Sequence, residues 1–129
     1  MKHPNALLLE KLYSDFVKND FTSFIAACPE EIAFQIPGNS KLGGKYDKKT
    51  FISDFIPKLK DLSAGSYKLE VHDVLASDRH AVVLASSSIS HSGKTIELRT
   101  VHVWRFENGK PVAFYEYPRD LYQFDLVWA

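Results

Sequence analysis

Cysteine is nearly missing from this sequence: Cys28 stands alone among 129 residues. One thiol forms no intrachain disulfide, and the lack of a disulfide framework favours a reducing compartment. An excess of charge is missing too, since sixteen Lys and Arg face sixteen Asp and Glu. With no net field to draw the chain onto nucleic acid or an anionic membrane, neither is expected as a partner. Long apolar runs are also lacking. In MKHPNALLLEKLY the run Ala6 to Leu9 ends at Glu10 and Lys11, too short for a signal-peptide core, and nothing elsewhere approaches a membrane span. A soluble, cytoplasmic protein is the expectation. Repeats and linkers are absent, so residues 1–129 are expected to form a single domain, long enough to bury roughly two-thirds of its unfolded surface.

Several chemistries lack their spacing. No HExxH, HxH or Cys-His pattern joins His3, His72, His80, His91 and His102, so no metal is expected. Ser86, Ser87, Ser88 and Ser90 have no elbow glycines around them, which disfavours a serine nucleophile. Gly43-Gly44 with Lys41, Lys45, Lys48 and Lys49 lacks the Walker spacing, and reads as a solvated entrance loop rather than a phosphate cradle.

Aromatic residues, by contrast, are plentiful: nine Phe, six Tyr and two Trp, as fits an aromatic-lined interior. Leu8, Leu9, Leu12, Tyr13 and Phe16 recur at helical steps, predicting a helix from Pro4 to about Lys18. Asp20 is placed to cap a second helix, Phe21 to Cys28. A short strand follows at Ile32 to Ile36. Asp47 starts a third helix that buries Phe51, Ile52, Phe55, Ile56, Leu59 and Leu62, kinked where Pro57 frees the carbonyl of Ser53. Strands are expected at Tyr67 to Ala76, Ala81 to Ser90, Thr95 to Phe106 and Pro111 to Tyr117. Short turns at Ser77-Asp78-Arg79 and Ser92-Gly93 make them an antiparallel meander. A short helix or tail carrying Tyr122, Phe124 and Trp128 ends the chain. Helices first and strands later is the order of an α+β domain.

The chemistry centres on TVHVWRFENGKPVAFYEYP, Thr100 to Pro118, two strands joined at Glu107-Asn108-Gly109. A three-residue loop closed by Gly109 pairs Phe106 with Lys110, His102 with Phe114 and Thr100 with Glu116. One face then holds His102, Trp104, Phe106, Val112, Phe114 and Glu116, whereas a two-residue loop would part His102 from Glu116. A carboxylate among such rings is poorly solvated, which disfavours its charged form and moves it toward the range of a general acid or base. Glu116 and His102 are therefore the candidate catalytic pair. The alternative is structural, with His102 a half-buried strand histidine and Glu116 a hydrogen-bonded rim residue. Tyr13, Trp104, Phe106, Phe114, Tyr46 and Trp128 are candidate ligand contacts, or simply core. The opposite face, with Val101, Val103, Tyr115, Tyr117, Arg99 and Arg105, has the makings of a homodimer interface.

Asn19-Asp20, IPGNSKLGGKYDKKTF, LEVHDVLASDRHAVVL, VHVWRFENGKPV and EYPRDLYQFDLVWA closely resemble the SnoaL-like branch of the nuclear-transport-factor-2-like, or ketosteroid-isomerase-like, superfamily, over essentially the whole chain. The resemblance implies a cystatin-like cone: a curved mixed sheet wrapped around three N-terminal helices, usually dimerising through its convex face. In the polyketide cyclases of that branch a histidine on the penultimate strand and an acid on the last face the cavity; His102 and Glu116 fall at matching places, with glutamate for the usual aspartate. The acidic base of the steroid isomerases has no counterpart, since Ile36 precedes Pro37. The tyrosine of their first helix aligns with Leu12, beside Tyr13, and Arg99 is out of phase with His102 for an epoxide-hydrolase set. The resemblance thus implies a small-molecule-binding protein for a small apolar or cyclic ligand. As an enzyme it would be a cofactor-independent isomerase, cyclase or dehydratase acting next to a carbonyl through Glu116 with His102. The alternatives are a non-catalytic binding module and a structural dimerisation module.

Overall fold

The computed structural model describes residues 2–91 and 93–129. Helix α1 (Pro4–Val17) starts at Pro4, where a missing N–H costs nothing, with His3 Nδ1 accepting from Asn5 N. Asp20 caps α2 (Phe21–Ala26) by accepting from Ser23 N. Asp47 and Thr50 form a reciprocal capping box at α3 (Lys48–Thr50). A π-helical stretch (Phe51–Phe55) then leads into α4 (Ile56–Ser63). The helical path is unbroken from Lys48 to Ser63, and Pro57 follows directly on its change of winding. It sits in the first turn of α4, where no N–H is needed, and the wider π turn ahead of it absorbs the mismatch. The altered winding also leaves Ile52 exposed, against the expected stripe.

Among the described residues six strands form one curved sheet in the order β2-β1-β6-β5-β4-β3. They are β1 (Ala33–Ile36), β2 (Gly44–Tyr46), β3 (Lys68–Ala76), β4 (His80–His91), β5 (Lys94–Glu107) and β6 (Lys110–Pro118). The expected meander β3 to β6 is present, and the predicted turn at Ser92-Gly93 lies in part outside the described residues, at Ser92. Strand β1 joins β6 in parallel, Phe34 beside Phe114, so the sheet is mixed. The three N-terminal helical segments and the sheet share one core, in which Leu9, Leu12, Phe34, Trp104 and Phe106 are nearly or wholly buried. No helix among the described residues is long and apolar enough to cross a membrane.

The segment read as a solvated entrance loop is more ordered than that. It contains β2, antiparallel to β1, and buries Leu42. It is seated on the C-terminal helix α5 (Leu121–Val127): Asn39 N donates to Asp125 Oδ1 at 3.1 Å and Lys41 N to Trp128 O at 3.2 Å. Gly38 allows this contact, since its φ is +92° and a Cβ there would lie 2.0 Å from Asp125 Oδ1.

The hairpin that carries the candidate pair differs from expectation in two places. Its turn has two residues, Asn108 and Gly109, with φ of 51° and 76°, closed by Glu107 opposite Lys110. By itself that turn would put His102 and Glu116 on opposite faces. One step on, β6 carries an extra residue: Phe106 faces Pro111 but Arg105 faces Ala113, leaving Val112 as a bulge. Pro111 has no N–H to give the ladder, which explains why the irregularity falls there. The bulge restores the phase. His102 then lies directly opposite Glu116, and Trp104 opposite Phe114, rather than His102 opposite Phe114 and Thr100 opposite Glu116.

Candidate functional site

Strands β5 and β6 place His102, Trp104, Phe114 and Glu116 on the face that meets the helices. Helix α1 adds Tyr13, because its apolar stripe packs on that same face. These five side chains, with Tyr67 ahead of β3, border a cavity of about 50 Å³. Its far wall is a stack of rings, Phe24 on Phe51 at 5.2 Å and Phe34 on Phe51 at 4.4 Å between centroids. No lysine or arginine among the described residues borders it.

At the polar end, His102 Nε2 stands 3.4 Å from Glu116 Oε2, with the two side chains only 6% and 14% exposed. Thr100 Oγ1 donates to the same oxygen at 3.0 Å. Glu116 Oε1 has no hydrogen-bond partner among the described residues, and the Glu116 side chain borders the cavity. On the other side of the imidazole, Tyr13 Oη lies 2.6 Å from His102 Nδ1, and Trp104 Nε1–H donates to Tyr13 Oη at 3.0 Å. Five residues from α1, β5 and β6 thus form one polar chain inside an aromatic shell. Burial holds the Tyr13 phenol well above the ordinary tyrosine value; the Trp104 N–H opposes this and the Glu116 charge adds to it. Burial likewise raises Tyr67, again with a contribution from Glu116. Both phenols stay protonated wherever a neutral-pH reaction would run.

Of the residues singled out from sequence, Glu116, His102, Tyr13, Trp104 and Phe114 come together at the cavity. Phe106, Tyr46 and Trp128 do not border it. Phe106 is core one step along β5, and Tyr46 donates its hydroxyl to Leu42 O at 2.7 Å and packs on Phe55. Trp128 is buried against Tyr67 and Phe124, and its Nε1 has no partner among the described residues. Thr100 and Tyr67 were not anticipated as site residues. Thr100 shares strand phase with His102, so an inward hydroxyl two residues from the imidazole was a signal available for it.

A carboxylate and an imidazole beside an apolar hollow can exchange a proton with a molecule bound there or orient its oxygen, and the ring wall can hold a flat apolar group. Comparison with known proteins gives the same architecture. The chain resembles Bal32a from a soil-derived mobile gene cassette at 23% identity and a TM-score of 0.87, over 98% of this chain and 97% of that one. A Xanthomonas campestris protein of unknown function with a cystatin-like fold aligns at 21% identity and a TM-score of 0.83, over 100% and 99%. TerC, co-crystallised with polyporic acid, aligns at 20% identity and a TM-score of 0.83, over 98% and 100%. At these identities the likeness shows the fold. No curated protein matches the chain. Residues 9–114 match the SnoaL-like domain family, a span running from the first core leucine of α1 to Phe114 in β6. The chain belongs to the SnoaL-like domain family.

Proposed function

We propose that this chain binds a small, uncharged, largely apolar molecule and moves a proton next to its carbonyl group, with Glu116 as the general base and then the general acid. The observation that carries this reading is the Glu116 side chain bordering an apolar cavity, with Oε1 free of hydrogen-bond partners among the described residues while Thr100 holds and His102 flanks Oε2. The Glu116 carboxylate takes a proton from the carbon beside the carbonyl; the C–H electron pair becomes the carbon–carbon double bond of an enolate, and the carbonyl π pair moves onto oxygen. The resulting acid returns the proton to carbon or to a departing hydroxyl. Isomerisation, aldol-type cyclisation and dehydration all share that step, and it requires a positioned carboxylate in a dry pocket. The lack of a bordering cation argues against anionic ligands. Co-crystallisation of TerC with polyporic acid supports a small organic occupant.

A hollow of about 50 Å³ has room for a few waters, well below the roughly 300–1,000 Å³ of pockets for drug-sized ligands. A small occupant fits as it stands. A larger one enters by parting the wall at the π-helical Phe51–Phe55, where backbone hydrogen bonding is already irregular. A second copy of the chain covers the outer sheet face. There Val101 lies opposite Tyr117 and Val103 opposite Tyr115, and Tyr117 is 56% and Leu84 39% exposed.

The test begins with small cyclic ketones and enones screened for thermal stabilisation. Deuterium exchange from solvent at the carbon next to the carbonyl is then followed by NMR. The unaltered chain is expected to speed exchange, and Glu116→Gln to lose roughly 100- to 10,000-fold of that rate while still binding. A Glu116→Gln variant exchanging at full speed overturns the reading.

A further inference from the structure

The hydrogen bonds around Tyr13 can be counted, and the count gives them a direction. An indole N–H only donates, so at the 3.0 Å contact with Trp104 Nε1 the phenol oxygen is the acceptor. The phenol's own proton has one acceptor within reach among the described residues, His102 Nδ1 at 2.6 Å. The two rings lie within 13° of parallel with centroids 5.8 Å apart. That is too far for face-to-face contact, and it brings the O–H toward the imidazole edge where the Nδ1 lone pair lies. A neutral imidazole that accepts at Nδ1 carries its proton on Nε2. Nε2 in turn faces Glu116 Oε2 at 3.4 Å. The reverse assignment aims a bare Nε2 at a carboxylate oxygen and leaves a buried phenol proton without an acceptor among the described residues, an unfavourable arrangement twice over.

We propose that Tyr13 is a positioning residue that locks His102 as the neutral Nε2–H tautomer, so that the imidazole offers a donor, not a base, to a ligand oxygen beside Glu116. The proposal rests on the reading of Glu116 as the base and divides the labour further. Glu116 removes the proton from carbon, and His102 Nε2–H holds the oxygen on which the charge gathers. Tyr13 itself has no proton left to give the ligand, because its hydroxyl is spent on Nδ1. Trp104, 1% exposed on β5, fixes the phenol oxygen from the other side and so sets the orientation of the whole chain.

Nitrogen-15 NMR of the imidazole side chains in the ligand-free protein tests this without a substrate. The expected spectrum has His102 protonated at Nε2 and bare at Nδ1. Tyr13→Phe keeps the ring against Trp104 and removes the hydroxyl, and is expected to release His102 into a mixture of tautomers. Nδ1-protonated His102 in the unaltered chain overturns the proposal, as does a Tyr13→Phe spectrum identical to it. Should Tyr13→Phe fail to fold, the spectrum of the unaltered chain decides alone. The two readings separate cleanly. Full-speed exchange by Glu116→Gln removes the base and leaves the tautomer standing, whereas an Nδ1–H tautomer removes this proposal and leaves Glu116 in place.

Discussion

Thr100→Val is the perturbation that tests most directly how Glu116 is held. Thr100 is 6% exposed, and its hydroxyl donates to Glu116 Oε2 at 3.0 Å. Valine has nearly the same shape and no donor. A hydrogen bond to a charged group contributes about 1.5–3 kcal/mol. The lower part of that range applies, because Oε2 keeps His102 Nε2 beside it and the cavity can admit water. The valine methyl recovers up to about 0.8 kcal/mol, so the net loss is expected near 1 kcal/mol, or about 3–4 °C in Tm for a chain of this length. In a Glu116→Ala background Thr100 has lost its acceptor, and the same change is expected to be neutral or stabilising. The difference between the two backgrounds is the coupling energy, about 1.5–2 kcal/mol. Urea unfolding of the four proteins at one pH, with m unchanged, measures it. A coupling below about 0.5 kcal/mol would refute the claim that Thr100 fixes the carboxylate.

Cys28 is 3% exposed, and burial pushes its thiol up to about 12, with Lys48 acting in the opposite sense. The folded chain is therefore expected to resist alkylation at neutral pH except through unfolding; labelling as fast as a free thiol would count against this packing. Since the raised thiol starts from 9.0, its contribution to stability is intact below that pH and is withdrawn as pH climbs toward about 12. Urea midpoints should fall across that window, and fall less in Cys28→Ala. On the outer sheet face, Tyr117→Glu is expected to turn a dimer into monomers by light scattering. A monomer mass for the unaltered chain at micromolar concentration would remove the proposed assembly.

The helices and the meander were legible because each declares itself within a few residues. Asp20 and Asp47 cap where acceptors precede apolar periodicity, and β3 to β6 lie between short turns. What was not legible depends on partners distant in the chain. Strand β2 has only three residues, Gly44–Tyr46, in a glycine- and lysine-rich stretch, and is a strand because β1 lies alongside it. The parallel union of β1 with β6 likewise follows from no local pattern; the known resemblance, not periodicity, implied a mixed sheet. By residue type Tyr46 and Trp128 fit a ligand contact or the core equally. Burial against Phe55 and Tyr67 places them in the core.

The hairpin shows how a correct phase can come from an incorrect turn. A single irregularity anywhere between His102 and Glu116 brings the two onto one face, and none, or two, would part them. The sequence carried two sites for such an irregularity, Gly109 in the turn and Pro111 at the start of β6, and either gives the same parity. The bulge sits at Val112, so His102 and Glu116 end up directly opposed instead of offset by one pair, which brings Nε2 to 3.4 Å from Oε2. Tyr13 is different in kind. Its link to His102 spans 89 residues, and no period or turn within either segment foretells it. The one signal was chemical: a tyrosine in the apolar stripe of α1, between Leu12 and Phe16, buries a hydroxyl that must find a partner. The inward polar side chains of the central strands were the place to look for it.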